Sequence, residues 1–75
     1  MRLLIIEDEQ ELCLMIHKVL KSKGYSVDYC FDGEEGMELL EVENYDLVIL
    51  DLNLPGMDGM TILSNFRQFN RETPV

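Results

Sequence analysis

Residues 47–50 read LVIL, four apolar residues with no polar alternation, and the run stops on a carboxylate, Asp51. A strand of that kind is covered by other elements on both of its faces. RLLII at residues 2–6 is a second short apolar run with β-branched content, and it ends in the acidic stretch EDEQE that begins at Glu7. YSVDYC at residues 25–30 alternates enough to form a further strand.

Between these runs the period changes. From Glu9 onward, Leu12, Ile16, Val19 and Leu20 fall on one face at three- and four-residue spacing, which predicts an amphipathic helix. Asp8 with Glu11 reads as a capping box, Lys21 and Lys23 suit the other end, and Gly24 is placed to close it. DGEEGMELLEV predicts a second helix, capped by Asp32 and Glu35 and weakened by Gly36 by about 1 kcal/mol relative to Ala. DGMTILSNFRQF predicts a third, capped by Asp58 and buried through Ile62, Leu63 and Phe66.

The order βαβαβα predicts an α/β fold: a parallel sheet with right-handed crossovers and helices on both faces. Chemistry in such sheets gathers beyond the carboxyl ends of the strands. Glu7 and Asp8 follow the first strand and Asp51 follows the third, so if those strands are neighbours the three carboxylates meet at one rim.

Size and charge narrow the function. A chain of 75 residues makes one small domain, of a size that buries only about 60% of its unfolded surface. The formal charge of −9, from 15 acids against 6 bases, repels a phosphate backbone and argues against direct nucleic-acid contact by these residues. No apolar run approaches the roughly 18 to 20 residues of a membrane span, and the N-terminus enters a strand without a signal-peptide pattern, which predicts a cytoplasmic protein. Cys13 and Cys30 form no CxxC motif and read as small buried hydrophobes. His17 reads as a solvated helix-face residue, and Met15, Met37, Met57 and Met60 as core and loop packing.

Two like charges about 4 Å apart repel by roughly 4 kcal/mol at an effective dielectric of 20, so three carboxylates need protonation, separation or a cation. An open rim of oxygen ligands suits Mg²⁺, which keeps several waters and commonly sits beside a phosphate. An aspartate there can attack phosphorus, which makes Asp51 the candidate nucleophile. Taken singly, each acid also has a plain structural reading: Asp8 a cap, Glu7 and Glu9 a solvated turn, Asp51 the polar stop of a strand.

LLIIEDE near the start, DG at 32 and 33, and YDLVILDLNLPGMDG from Tyr45 closely resemble the receiver domain of bacterial two-component response regulators, most of all the winged-helix transcription-factor subclass. The resemblance covers all 75 residues. It implies a flavodoxin-like doubly wound sheet with strand order 2-1-3 over this length. It also implies that Asp51 accepts a phosphoryl group from the histidine of a sensor kinase. Asp8 and Asp51 would bind Mg²⁺ (or Mn²⁺) through their side chains and Asn53 through its backbone carbonyl, with Glu7 holding a metal-bound water. The module would be a phosphoacceptor rather than an enzyme, controlling a DNA-binding output domain.

The family pattern adds a Ser or Thr after a fourth strand and a Lys after a fifth, and this sequence stops at Val75. The expectation is therefore residues 1–75 of a receiver without its fourth and fifth βα units. The third strand would then be an exposed edge, inviting a homodimer or an exchange of segments between copies. Three rivals stand beside this reading. A haloacid-dehalogenase-type phosphatase needs a second Asp where Asn53 stands. A calcium loop beginning at Asp51 needs a bidentate Glu where Ile62 stands. The third rival, from another class, is a receiver-like interaction fragment that is never phosphorylated.

Overall fold

The innermost strand, β1 (Arg2–Ile6), carries four consecutive side chains, Leu3 to Ile6, that are shut off from solvent. Each such side chain contributes about 1.5–3 kcal/mol through burial. β1 lies between β2 (Ser26–Cys30) and β3 (Leu47–Leu50), parallel to both, so the sheet order is β2-β1-β3 as expected. The computed structural model describes all 75 residues and adds three helices, α1 (Gln10–Ser22), α2 (Gly33–Val42) and α3 (Gly59–Arg67).

Alternation along β1 divides the interior in two. Leu4 and Ile6 point to the larger core, which they share with Cys30, Met37, Leu40, Val48, Ile62 and Phe66 under α2 and α3. The opposite face is covered by α1, which packs chiefly over β2 and next over β1. That placement corrects two expectations. β3 is less fully covered than expected: Val48 is buried, whereas Leu47, Ile49 and Leu50 are half-buried. The inward stripe of α1 is centred on Cys13, and Val19 is 49% exposed, because the helix rolls its face toward β2.

The helix ends follow local chemistry with one exception. Asp32 Oδ1 accepts the Glu35 N–H at 2.8 Å, and Asp58 Oδ1 accepts the Thr61 N–H at 2.9 Å. α1 has Glu9, not Asp8, at its cap position, and no side chain caps it. Glu7 lies close enough to intervene there, its Oε2 accepting the Glu9 N–H at 3.1 Å. Gly24, at φ 93°, ends α1 as its position predicts.

The outer edge of β3 is not left bare. Asn70 Oδ1 accepts the N–H groups of Glu72 and Thr73 at 3.1 and 3.0 Å, a turn that lays the last residues alongside the strand. Val48 then donates its N–H to the Pro74 carbonyl at 2.9 Å, and Thr73 Oγ1 donates to the Tyr45 carbonyl at 3.4 Å. The chain thus shields part of the edge that was expected to recruit a second copy.

At the amino end of the sheet, Arg2 ties three elements together. Its guanidinium reaches Glu43 at 2.8 Å and Asp28 at 2.9 Å and lies over the Tyr45 ring, 5.0 Å from the centroid. Tyr45 donates its hydroxyl to the same Asp28 oxygen at 2.7 Å, and burial first, then that aspartate, holds the phenol well above its ordinary pKa.

Gly36 is needed for contact rather than tolerated. A Cβ there would lie 2.7 Å from Ile6 Cδ1 and 3.0 Å from both its Cγ1 and Cγ2, so the whole branched side chain of the fully buried Ile6 would have to shift. Helix propensity alone makes Gly36→Ala stabilising by about 1 kcal/mol. Overpacking costs roughly 1–3 kcal/mol and decides the sign. Gly36→Ala is therefore expected to destabilise the protein, read as a lower urea midpoint with an unchanged slope.

Candidate functional site

The register of the sheet assembles the rim. Ile6 is paired with Leu50, so the residues that follow them, Glu7 and Asp51, leave the sheet side by side. The Asp51 N–H still donates to the Ile6 carbonyl at 3.0 Å, and the Glu7 N–H donates to the Cys30 carbonyl at 3.1 Å. The backbone carrying both acids is thereby fixed by the ladder itself. With Asp8 one residue further, the structure brings Glu7, Asp8 and Asp51 together: a carboxylate oxygen from each lies within 4.8 Å of the other two. Asp8 is exposed and the other two are half-buried.

No cation of the chain answers this charge, because both of its ion pairs belong to Arg2 at the other end of the sheet. Glu7 registers the strain. Partial burial is the largest influence raising its pKa, and Asp51 and Asp8 raise it further, against the opposing effect of the Glu9 N–H. An all-oxygen, open and uncompensated trio is a donor set that fits a hard divalent cation with retained waters. Asn53 sits exposed in the loop after β3, outside the trio but joined to it, its N–H donating to Asp51 Oδ1 at 3.2 Å.

Two glycines, Gly59 and Gly33, hold the loop behind Asp51. A Cβ on Gly59 would overlap the Asp51 carbonyl oxygen and lie 2.6 Å from Leu52 Cα, and the Gly59 N–H donates to the Leu52 carbonyl at 3.1 Å. From the other side, Gly33 donates its N–H to the Pro55 carbonyl at 3.3 Å, and a Cβ there would overlap the Met57 carbonyl. The β2–α2 junction therefore bears directly on the loop that follows Asp51. The sequence marked DG at 32 and 33 and Gly59 after Asp58, but nothing local announced these long-range contacts.

Against known proteins, the family model described as the response regulator receiver domain matches residues 3–75, and the chain belongs to that family. It is 45% identical over its whole length to the transcriptional regulatory protein DltR of Streptococcus agalactiae, of which it spans 34%. The receiver domain of the Francisella response regulator 1452 superposes with a TM-score of 0.93 at 30% identity, covering 99% of this chain and 61% of that one. TrrA of Thermotoga maritima, solved in complex with Mg²⁺-BeF, gives a TM-score of 0.88 at 33% identity over 93% of this chain and 61% of its own. A second TrrA structure is a complex with the histidine kinase ThkA, at a TM-score of 0.87 and 32% identity over 96% of this chain and 62% of that one.

The raised pKa of Glu7 carries a signed consequence. An acid held more tightly protonated in the folded state contributes stability that is full below its ordinary pKa of 4.5 and is lost as pH rises through the higher folded value. Glu7→Gln cannot titrate. Without added metal, the stability of the wild type relative to Glu7→Gln is expected to fall as pH is raised from 4.5 upward, read by chemical denaturation at each pH.

Proposed function

We propose that Asp51 is the phosphoacceptor of a two-component signalling module, taking a phosphoryl group from a phosphohistidine of a sensor kinase. The observation that carries this reading is the convergence of Glu7, Asp8 and Asp51 within 4.8 Å with no internal cation. An Asp51 carboxylate oxygen attacks phosphorus, an O–P bond forms as the donor N–P bond breaks, and the imidazole nitrogen keeps the bonding pair. Asn53 holds the other end of the step: its N–H on Asp51 Oδ1 restrains rotation of the carboxylate. Packing at Gly59 and Gly33 keeps the loop from drifting while the new bond forms.

Asp8 and Asp51, through their carboxylates, and Asn53, through its backbone carbonyl, would hold Mg²⁺ or Mn²⁺, with Glu7 beside them. When bound, such an ion neutralises the crowded carboxylates and the charge on the transferring phosphoryl oxygens. The complex of TrrA with ThkA supports a histidine kinase as partner, and the Mg²⁺-BeF complex of TrrA supports the metal. The relatives named as transcriptional regulators support transcription as the output, and the chain spans about a third of their length. No helix here is long and apolar enough to cross a membrane.

Two measurements test this reading. Millimolar Mg²⁺ is expected to shift the amides of Asp8 and Asn53 before others, and an intact fold with neither amide moving would remove the metal site. Incubation with phosphoramidate and Mg²⁺ is expected to add the mass of one phosphoryl group to the protein. Asp51→Asn should reduce that labelling to background, and labelling of the mutant at the wild-type rate would take Asp51 out of the role.

A further inference from the structure

We propose that the free edge of β2 and the outer face of α2 form a docking groove for an extended, cationic segment of a partner protein. Two open hollows lie there, of about 430 and 470 Å³, and they share Glu35 and Leu39, so they run into one another. The first is lined by Val27, Asp28 and Tyr29, three consecutive residues of β2, and by Arg2, which already pairs with Asp28 and Glu43 there, so the unanswered charge lies with the glutamates of the second hollow. Side chains alternate across a sheet, so three in succession border one hollow only where the strand presents its edge.

That edge is unclaimed. β2 pairs with β1 on one side and ends the sheet on the other, unlike β3, whose outer side is met by Pro74. Its unpaired backbone groups can take an added strand, the mode in which main-chain bonds give affinity and flanking pockets give specificity. The second hollow supplies the flank, with Leu39 half-buried and Val42 74% exposed among Glu35, Glu38 and Glu41.

Charge selects the occupant. None of those three glutamates is ion-paired, and α2 has no basic residue in its last turn, where the helix dipole favours a cation. Glu41 therefore stands at the end of α2 that repels it, with Glu38 one turn earlier, and an incoming lysine or arginine relieves both dipole and side chains. A second copy of this chain, at a net charge of −9, is opposed at the same face, as is any nucleic acid or anionic membrane. Alternate apolar residues of the segment would meet Leu39 and Val42.

The test uses isotope-labelled protein titrated with a short capped peptide alternating lysine with valine. Amides of Val27–Cys30 and Glu35–Val42 are expected to shift together, and the combined variant Glu35→Gln, Glu38→Gln, Glu41→Gln to bind about tenfold more weakly. These side chains are exposed, and a circular-dichroism melt confirms that the variant is folded. A counterpart peptide alternating glutamate with valine should leave the spectrum unmoved. The proposal is overturned by unchanged affinity in the folded variant, by equal response to the acidic peptide, by a peptide bound as a helix, or by no binding at millimolar concentration. Shifts centred on Glu7, Asp8 and Asp51 would overturn it too. So would movement of the same amides with protein concentration alone, which would assign the groove to a second copy.

Discussion

The register of β1 is the constraint on which the rest depends. A strand that alternates polar and apolar is locked by its faces, since a slip of one residue turns its apolar set outward. β1 has no such lock, because Leu3 to Ile6 are buried on both faces. What pins it lies at its ends. Arg2 donates its N–H to Asp46 Oδ2 at 2.7 Å and its guanidinium to Glu43 and Asp28, so the strand is anchored to α2, to β2 and to the approach to β3 at once. Five residues further on, Glu7 emerges beside Asp51. The cluster at the amino end of the sheet thus sets the alignment of acids at the carboxyl end.

Much of this was legible in the residues. The bounds of β3 are those of the apolar run, β2 begins one residue later than its alternation suggested, and the helices fall where the period changes. The rim was legible too, because parallel βα units place strand ends together and acids follow two of the strands. The misses share a cause. Arg2, Asp28, Glu43 and Tyr45 are far apart in sequence, and a long-range ion pair leaves no local period. The cap of α1 was misplaced because Glu7, a residue outside the helix, takes the Glu9 N–H that a local capping rule would leave to solvent. Val19 was assigned inward by spacing alone, whereas the roll of α1 is decided by what it packs on.

Charge is distributed by architecture as much as by composition. Parallel strands joined by helices put every helix start on the rim that carries Glu7, Asp8 and Asp51. Asp32 and Asp58 already occupy two of those starts as caps, accepting N–H groups from Glu35 and Thr61. The trio therefore draws little relief from the helix ends nearest to hand, and partial burial of Glu7 deepens its need. A small acidic domain can hold this arrangement because the repulsion is confined to one open rim, where solvent and counter-ions reach it.

The closeness of Gly59 to the backbone of Asp51 and Leu52 also bears on how such a loop can change over time. The position of Asp51 is gauged by main chain against main chain at Gly59, with Leu54 of the loop buried in the core, whereas Leu52, Asn53 and Pro55 are exposed. The exposed side chain of Leu52 can therefore be exchanged without moving the carboxylate, whereas Pro55 fixes the backbone whose carbonyl accepts the Gly33 N–H. Drift is barred at position 59, where a single methyl group would meet the peptide that carries Asp51.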